Sequence, residues 1–487
     1  MKNLNKSKRS CIVLALVLSC FFACKKENKW EGVCVTPHDI GTVSMNPVKN
    51  NILKYEVLVN TEKALDVYIK YWIDRKGDLD SINEKQFYYS QVSKNKKEHQ
   101  ILLMNLKQNT AYKYVVVAQN DNCKSYSDEK EFKTNSIPYY LPFNHPKTDS
   151  TLVKNVFKGY MSSHSLDIPG YLFLIDNDMD LVWYHEVPRS IKVANWTDQN
   201  TVLTILSVNA TKYTRGEEIA EFDLKGNILF RTQKGAKGDK GLDKILHHEI
   251  RHDNDNNIMA LTYEEEVYDL TSVGGTAEEL IIGDGIIIID KEGNKVWEWS
   301  VFDVMDPVTY PGIMDKRKDW FHANSLWQDE NGDFLISFRT TNQVWKIDGE
   351  SGELIWKLGG EDGDFNLPDS LKFYGQHAAH INSQGDLMLL DNGLSDSIPK
   401  VKSFTIDETN MTATPQINFA MPKEFYSGVK GCAYLLDNEY VMFCSSDKRR
   451  VYYFDLDGNY LGQLETSYKL YRAEYMDEMY DSSDYVK

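Results

Sequence analysis

The chain has 487 residues, 42% of them hydrophobic and 26% charged, enough for two domains and a sizeable core. Its formal net charge of −17 argues against nucleic acid or an anionic membrane surface as a partner. Any anionic substrate would need a local positive site within this acidic envelope, and the many Tyr, Trp and Phe residues suit β-structure and aromatic-lined pockets.

Residues 1–24 read as an export signal. Lys6, Lys8 and Arg9 precede an apolar run from Cys11 to Ala23 that is too short to span a bilayer. Phe21-Phe22-Ala23-Cys24 resembles a bacterial lipobox, and the charged tether Lys25-Lys26-Glu27 favours Cys24 over Cys20 as the lipidated residue. A plain cleaved signal is the alternative. The expected location is the bacterial envelope, periplasm or outer-membrane surface, with the lipid as the only membrane contact. Export would place Cys34, Cys123, Cys432 and Cys444 in an oxidising compartment, where spacing alone does not fix their pairing.

From about residue 30 to 135 apolar and polar residues alternate, as in Leu53–Val59, Leu65–Trp72 and Leu106–Ala118. This is the pattern of an antiparallel β-sandwich with one face of each sheet buried. The run Leu106-x-x-x-Thr110-x-Tyr112-x-Tyr114-x-Val116 resembles the corner and F strand of a fibronectin type III domain. That resemblance would make Cys34 and Cys123 neighbours able to pair. Ser136-Ile137-Pro138 reads as a linker.

Residues 140–487 carry a repeat. Strand-like runs end in Ile175-Asp176, Phe222-Asp223, Ile289-Asp290, Ile347-Asp348, Ile406-Asp407 and Phe454-Asp455, at steps of 47, 67, 58, 59 and 48 residues. A unit of that size with variable loops predicts propeller blades, hence an all-β chain with a six-bladed propeller. The acidic segment from Asp477 to Asp484 reads as a solvated terminus. No P-loop, dinucleotide fingerprint, EF-hand, zinc-finger spacing or Gly-x-Ser-x-Gly elbow is present, and no cofactor is expected.

Three blades share a spacing. His248 lies nine residues before Asn257, Asn324 nine before Asp333 and His377 nine before Asp386, so the three positions are equivalent. His322 sits two residues before Asn324, and strand alternation predicts that both side chains share a face. Arg339 falls on the next strand of that blade. Three imidazoles, an amide and a guanidinium at one mouth suit binding a tetrahedral oxyanion and moving protons around it. Alternation lets only one of His247 and His248 face inward, and blade register favours His248. The same rule turns His380 to the opposite face, as a structural residue. Zinc on three imidazoles is geometrically conceivable, but Arg339 beside them disfavours a cation.

Asp319-Trp320-Phe321-His322-Ala323-Asn324-Ser325, Ser337-Phe338-Arg339, Leu354–Gly360, Gln376-His377-Ala378-Ala379, Leu390-Asp391-Asn392-Gly393 and His247-His248-Glu249 together resemble bacterial arylsulfate sulfotransferases. The resemblance implies a small β-domain before a six-bladed propeller. It also implies ping-pong transfer of a sulfuryl group from an aryl sulfate to a phenol without a nucleotide sulfate donor. Carried over, His377 is the nucleophile that becomes sulfohistidine, while His248, His322, Asn324 and Arg339 bind and polarise the sulfate. The chain departs from the family at His377-Ala378-Ala379-His380, which adds a second histidine. The rival reading is a non-catalytic surface lipoprotein whose propeller binds glycan or peptide; the full His/Asn/Arg set argues for the enzyme. Hydrolysis, with water as acceptor, is a third option. A homodimer is allowed but not required by a fold that closes on itself.

Overall fold

Aspartate side chains set the repeating corners of the propeller. Asp176 Oδ1 accepts from the backbone N–H of Asp178 and Asp180 at 3.0 and 2.9 Å. Asp290 does the same for Glu292 and Asn294 at 3.0 and 2.7 Å, and Asp455 for Asp457 and Asn459 at 3.0 and 2.8 Å. The short carboxylate mimics a backbone turn, which is why the repeat keeps Asp at this point. The corner then passes through a left-handed residue. Glycine supplies it without steric cost at Gly293 (φ 84°) and Gly458 (φ 84°), whereas Met179 (φ 64°) adopts it with a side chain.

The computed structural model describes residues 34–49, 51–74, 86–120, 123–141, 147–148, 156, 159–211, 213–235, 241–476 and 479. The segment expected to direct export, with Cys24, and most of the acidic terminus lie outside the described residues. Among those described, no helix is long and apolar enough to cross a membrane.

Six antiparallel sheets form the propeller. Blade 2 runs outward through Ser190–Trp196, Thr201–Ser207, Glu218–Asp223 and Ile228–Gln233. Blade 3 is Leu246–His252, Ile258–Tyr268, Glu279–Ile289 and Lys295–Ser300. Blade 4 is Ala323–Gln328, Phe334–Phe338, Gln343–Ile347 and Leu354–Gly359. Blade 5 is His377–Ile381, Leu387–Asp391, Lys400–Asp407 and Thr412–Ala420, and blade 6 is Cys432–Leu436, Tyr440–Ser445, Arg450–Asp455 and Tyr460–Glu465. Blade 1 closes the ring: Tyr160–His164, Gly170–Ile175 and Leu181–Val187 receive their inner strand, Glu474–Met476, from the far end of the chain. Apolar faces interlock between blades; Met259, Leu261 and Trp299 of blade 3 meet Trp320, Phe321 and Trp345 of blade 4. Each such buried side chain is worth about 1.5–3 kcal/mol relative to exposure.

The first unit is a seven-stranded sheet built on one long strand, Asn51–Ile73. Its first half pairs with Ile40–Val48 and Ser93–Leu103, its second half with Ala111–Gln119 and Tyr88–Tyr89. Val57, Val67, Ile69, Tyr71, Leu103, Tyr112 and Val116 form its core, as alternation predicts. Cys34 and Cys123 adjoin as free thiols rather than a disulfide, and so do Cys432 and Cys444, which face each other across the first two strands of blade 6.

This unit is keyed into the propeller. Lys107 Nζ sits 2.9, 2.7 and 2.9 Å from Asp176, Asp178 and Asp180. Buried Lys54 donates to the Leu224 carbonyl at 3.0 Å and lies 5.0 Å from the Trp183 ring centroid. Asn51 Nδ2 donates to the Tyr184 carbonyl at 2.8 Å. Among the described residues, the aspartate trio is the one cluster of ligand atoms close enough together to hold a metal ion, and an ammonium group fills it.

Candidate active site

Where the inner strands of blades 3, 4 and 5 begin, the β-period breaks. His248, His322 and Ala378 are left-handed (φ 56°, 57° and 53°), as is Lys430 (φ 60°) just before blade 6. Register shifts fall at His247/Ile250, Ala323/Ser325 and His377/His380. Such bulges re-aim side chains. One expectation from strict alternation is therefore corrected. His322 and Asn324 do not share a face: His322 lines the central cavity, while Asn324 is fully buried and donates Nδ2–H to the Gln376 carbonyl at 2.7 Å. His247 and His248 nonetheless touch, their Nδ1 atoms 2.9 Å apart. His248 reaches the cavity and His247 is buried behind it. His380 lies off the cavity, its Nδ1 2.9 Å from the Ala378 carbonyl and its ring between Trp327 and Tyr434.

The cavity holds about 1200 Å³, and His248, His322, Arg339 and His377 all contribute to its wall, with Tyr263, Lys430, Ser446 and Tyr471. His377 is 3% exposed. Its Nδ1 is 2.7 Å from Asn392 Oδ1 and 3.1 Å from the Gly375 carbonyl, both acceptors, so Nδ1 carries the proton. Nε2 then accepts from the Lys430 backbone N–H at 3.2 Å. Asn392 is itself oriented by donating Nδ2–H to the Ser427 and Lys430 carbonyls at 2.9 and 3.0 Å. Burial, and then the nearby Arg339 charge, pull the His377 imidazole down to about 3, so it stays neutral with a lone pair on Nε2.

Around it stand donors. Arg339 donates Nη2–H to the Gly428 carbonyl at 3.1 Å and has a buried Nε with no partner. His322 Nδ1 is 2.6 Å from Asp319 Oδ2, and its ring centroid is 5.0 Å from that of His248. Burial raises Asp319, but the hydrogen bond to His322 and the charges of His322, His247 and Arg339 together outweigh it and leave the carboxyl below its ordinary value. Burial, and next the nearby His322, hold His248 well below its ordinary range.

Several of these residues were not singled out from the sequence. Arg472, buried near the centre, pairs with Glu249 and donates to the Asn324 carbonyl at 2.6 Å. With Tyr471 it precedes the closing strand, which carries no repeat signature. Ser446 offers a buried hydroxyl without a partner. Lys192 was findable: it lies nine residues before Thr201, the spacing that marks His248, Asn324 and His377. Its amine, pulled down to about 8 by burial, donates to the carbonyl of Thr211, a cavity residue, at 2.9 Å.

A neutral imidazole whose lone pair lies beside a guanidinium suits group transfer to or from an oxyanion. The family model described as Arylsulfotransferase (ASST) matches residues 144–452, and the chain belongs to that sulfotransferase family. No curated protein matches. Among solved structures, the chain is similar to a Bacteroides caccae protein of unknown function (10% identity, TM-score 0.40, 66% of this chain and 99% of that one). It is also similar to a catalytically inactive virginiamycin B lyase from Staphylococcus aureus (12%, 0.35, 66% and 88%) and to apo AztD from Citrobacter koseri (12%, 0.31, 66% and 99%). Similarity at that level carries no argument about activity.

Proposed function

We propose that the protein transfers a sulfuryl group from an aryl sulfate to a phenol through a sulfohistidine on His377. In the first half-reaction the Nε2 lone pair of His377 forms the N–S bond as the S–O(aryl) bond breaks, its electron pair leaving on the aryl oxygen. A funnel histidine protonates that oxygen; the same group later deprotonates the acceptor phenol, whose oxygen takes the sulfuryl group from Nε2. His248, His322 and Arg339 face the transferring group, and Asn324 braces the backbone just before His377. The Lys430 N–H now on Nε2 is free to turn to a sulfuryl oxygen once the N–S bond forms. The observation that carries the reading is the fixed tautomer of His377, with Nδ1–H on Asn392 and the Nε2 lone pair, engaged by the Lys430 N–H, beside the Arg339 charge. No step calls for a metal or cofactor.

The substrates under this reading are small phenolic donors and acceptors, with no nucleic acid partner. We also read the first unit as a fibronectin-type sandwich ending near residue 135, and residues 1–24 as the signal of an exported protein anchored through Cys24. The pairing of the long strand's two halves with different neighbours supports the former. The lipobox supports the latter. The test is release of 4-nitrophenol from its sulfate, with and without added phenol. Sulfated phenol formed with ping-pong kinetics supports transfer. Release insensitive to phenol, with none of it sulfated, would make the protein a hydrolase. No turnover beyond that of His377→Ala would leave only binding.

A further inference from the structure

Behind the cavity wall lie two titratable groups that the transfer chemistry does not use. His247 is fully buried on the inner strand of blade 3, its ring stacked on Tyr263 at 4.2 Å between centroids and 22° between planes. One ring nitrogen, Nδ1, is 2.9 Å from Nδ1 of His248; the other, Nε2, is 3.4 Å from Oδ1 of buried Asp284. Neither His247 Nε2 nor either Asp284 oxygen has a hydrogen-bond partner. Buried polar atoms are rarely left so. Two orphaned atoms facing one another at 3.4 Å leave room for a proton between them.

Resting on the sulfohistidine reading, we propose that Asp284 and His247 are positioning residues forming a proton relay to His248, which is the acid and base of the two half-reactions. In one setting the Asp284 carboxyl O–H donates to His247 Nε2, His247 Nδ1–H donates to His248 Nδ1, and His248 Nε2–H points into the cavity. When that last proton passes to the leaving aryl oxide, His248 Nδ1 takes the proton of His247 Nδ1, and His247 Nε2 takes that of Asp284. One proton has left, one negative charge has moved from aryl oxide to carboxylate, and both rings are still neutral. The acceptor phenol runs the relay backwards.

The electrostatics suit these roles. Burial pulls His247 down to about 4 and, with the nearby His322, holds His248 well below its ordinary range, so neither ring stores charge. Burial, then the neighbouring Asp319 carboxylate, push Asp284 up to about 7, where a carboxyl both holds and yields a proton. The titratable groups facing Asp284 are His247 on the inner strand, Tyr263 on the second strand, and Asp319 and His322 ahead of blade 4; the His322 and Ala323 amides lean on it from outside hydrogen-bonding geometry.

The test compares Asp284→Asn with wild type on two donors, phenyl sulfate and 4-nitrophenyl sulfate, through the kcat/KM for donor, which reports the first half-reaction alone. A basic phenolate needs the proton and an acidic nitrophenolate does not. Asp284→Asn is expected to lose about a hundredfold on phenyl sulfate and far less on 4-nitrophenyl sulfate. In wild type, kcat/KM for phenyl sulfate should fall as pH rises through about 7, a limb weak with the nitrophenyl donor and missing in the variant. Equal losses on both donors, or a limb that persists in the variant, would overturn the relay and leave His322 with Asp319 as the acid. The wild-type profile decides even if the variant folds poorly. Absence of a His377 adduct in wild type would instead sink the sulfohistidine reading, and mass spectrometry reads that separately.

Discussion

The two ends of the inner strands behave differently. At the corner end, blades 3, 4 and 5 repeat one another: Asp253 accepts from Asp255 and Asn257, Asp329 from Asn331 and Asp333, and Asn382 from Gln384 and Asp386. At the mouth end they share a broken register but not a chemistry, and orphaned atoms gather on and beside them, such as Asn324 Oδ1, Arg339 Nε and those of Asp284. Satisfied hydrogen bonds specify the fold; unsatisfied polar groups are held in place by it.

Substitutions at the mouth should therefore change chemistry, and those at the corners should change stability. His377→Ala is expected to bring 4-nitrophenol release down to background with an unchanged melting curve, the largest effect. Arg339→Ala should lower kcat/KM by about 10²–10³, the worth of one donor aimed at developing charge. Asn392→Ala frees the His377 tautomer and should lower kcat/KM about tenfold, the worth of one hydrogen bond to a buried group. Titration sharpens the contrast further. His164, His247, His377 and His380 have folded values of about 3 or 4, below the ordinary 6.5. Between those limits the unfolded chain binds protons that the fold excludes, so stability is full above 6.5 and is lost as pH falls. Each such histidine should cost on the order of 1–2 kcal/mol at pH 5, measurable by denaturant melts. Asp253→Ala, at a corner, should cost about 1 kcal/mol and leave activity alone; a loss of activity there would blur the distinction between the two ends.

The same contrast explains what was legible in the sequence. The six Ile-Asp or Phe-Asp corners gave the blade count because an Asx turn is local: the side chain bonds its own backbone two to four residues on. The nine-residue spacing placed His248 and His377 on the cavity for the same reason, since it counts back from such a turn. Alternation misplaced Asn324 relative to His322 because the left-handed backbone at His322 and the bulge after Ala323 are set by tertiary packing. Arg472, Asn392 and Asp284 could not be read from periodicity, as their partners lie 223, 15 and 37 residues away on other strands.

The central claim is that one ring nitrogen, His377 Nε2, captures sulfur. Enzyme mixed with 4-nitrophenyl sulfate, quenched in base before acceptor is added, and digested for mass spectrometry tests it most directly. The account predicts a sulfuryl adduct on the peptide carrying His377, absent from His377→Ala and discharged by added phenol. An adduct on another residue, or turnover with no adduct at any time point, would contradict it.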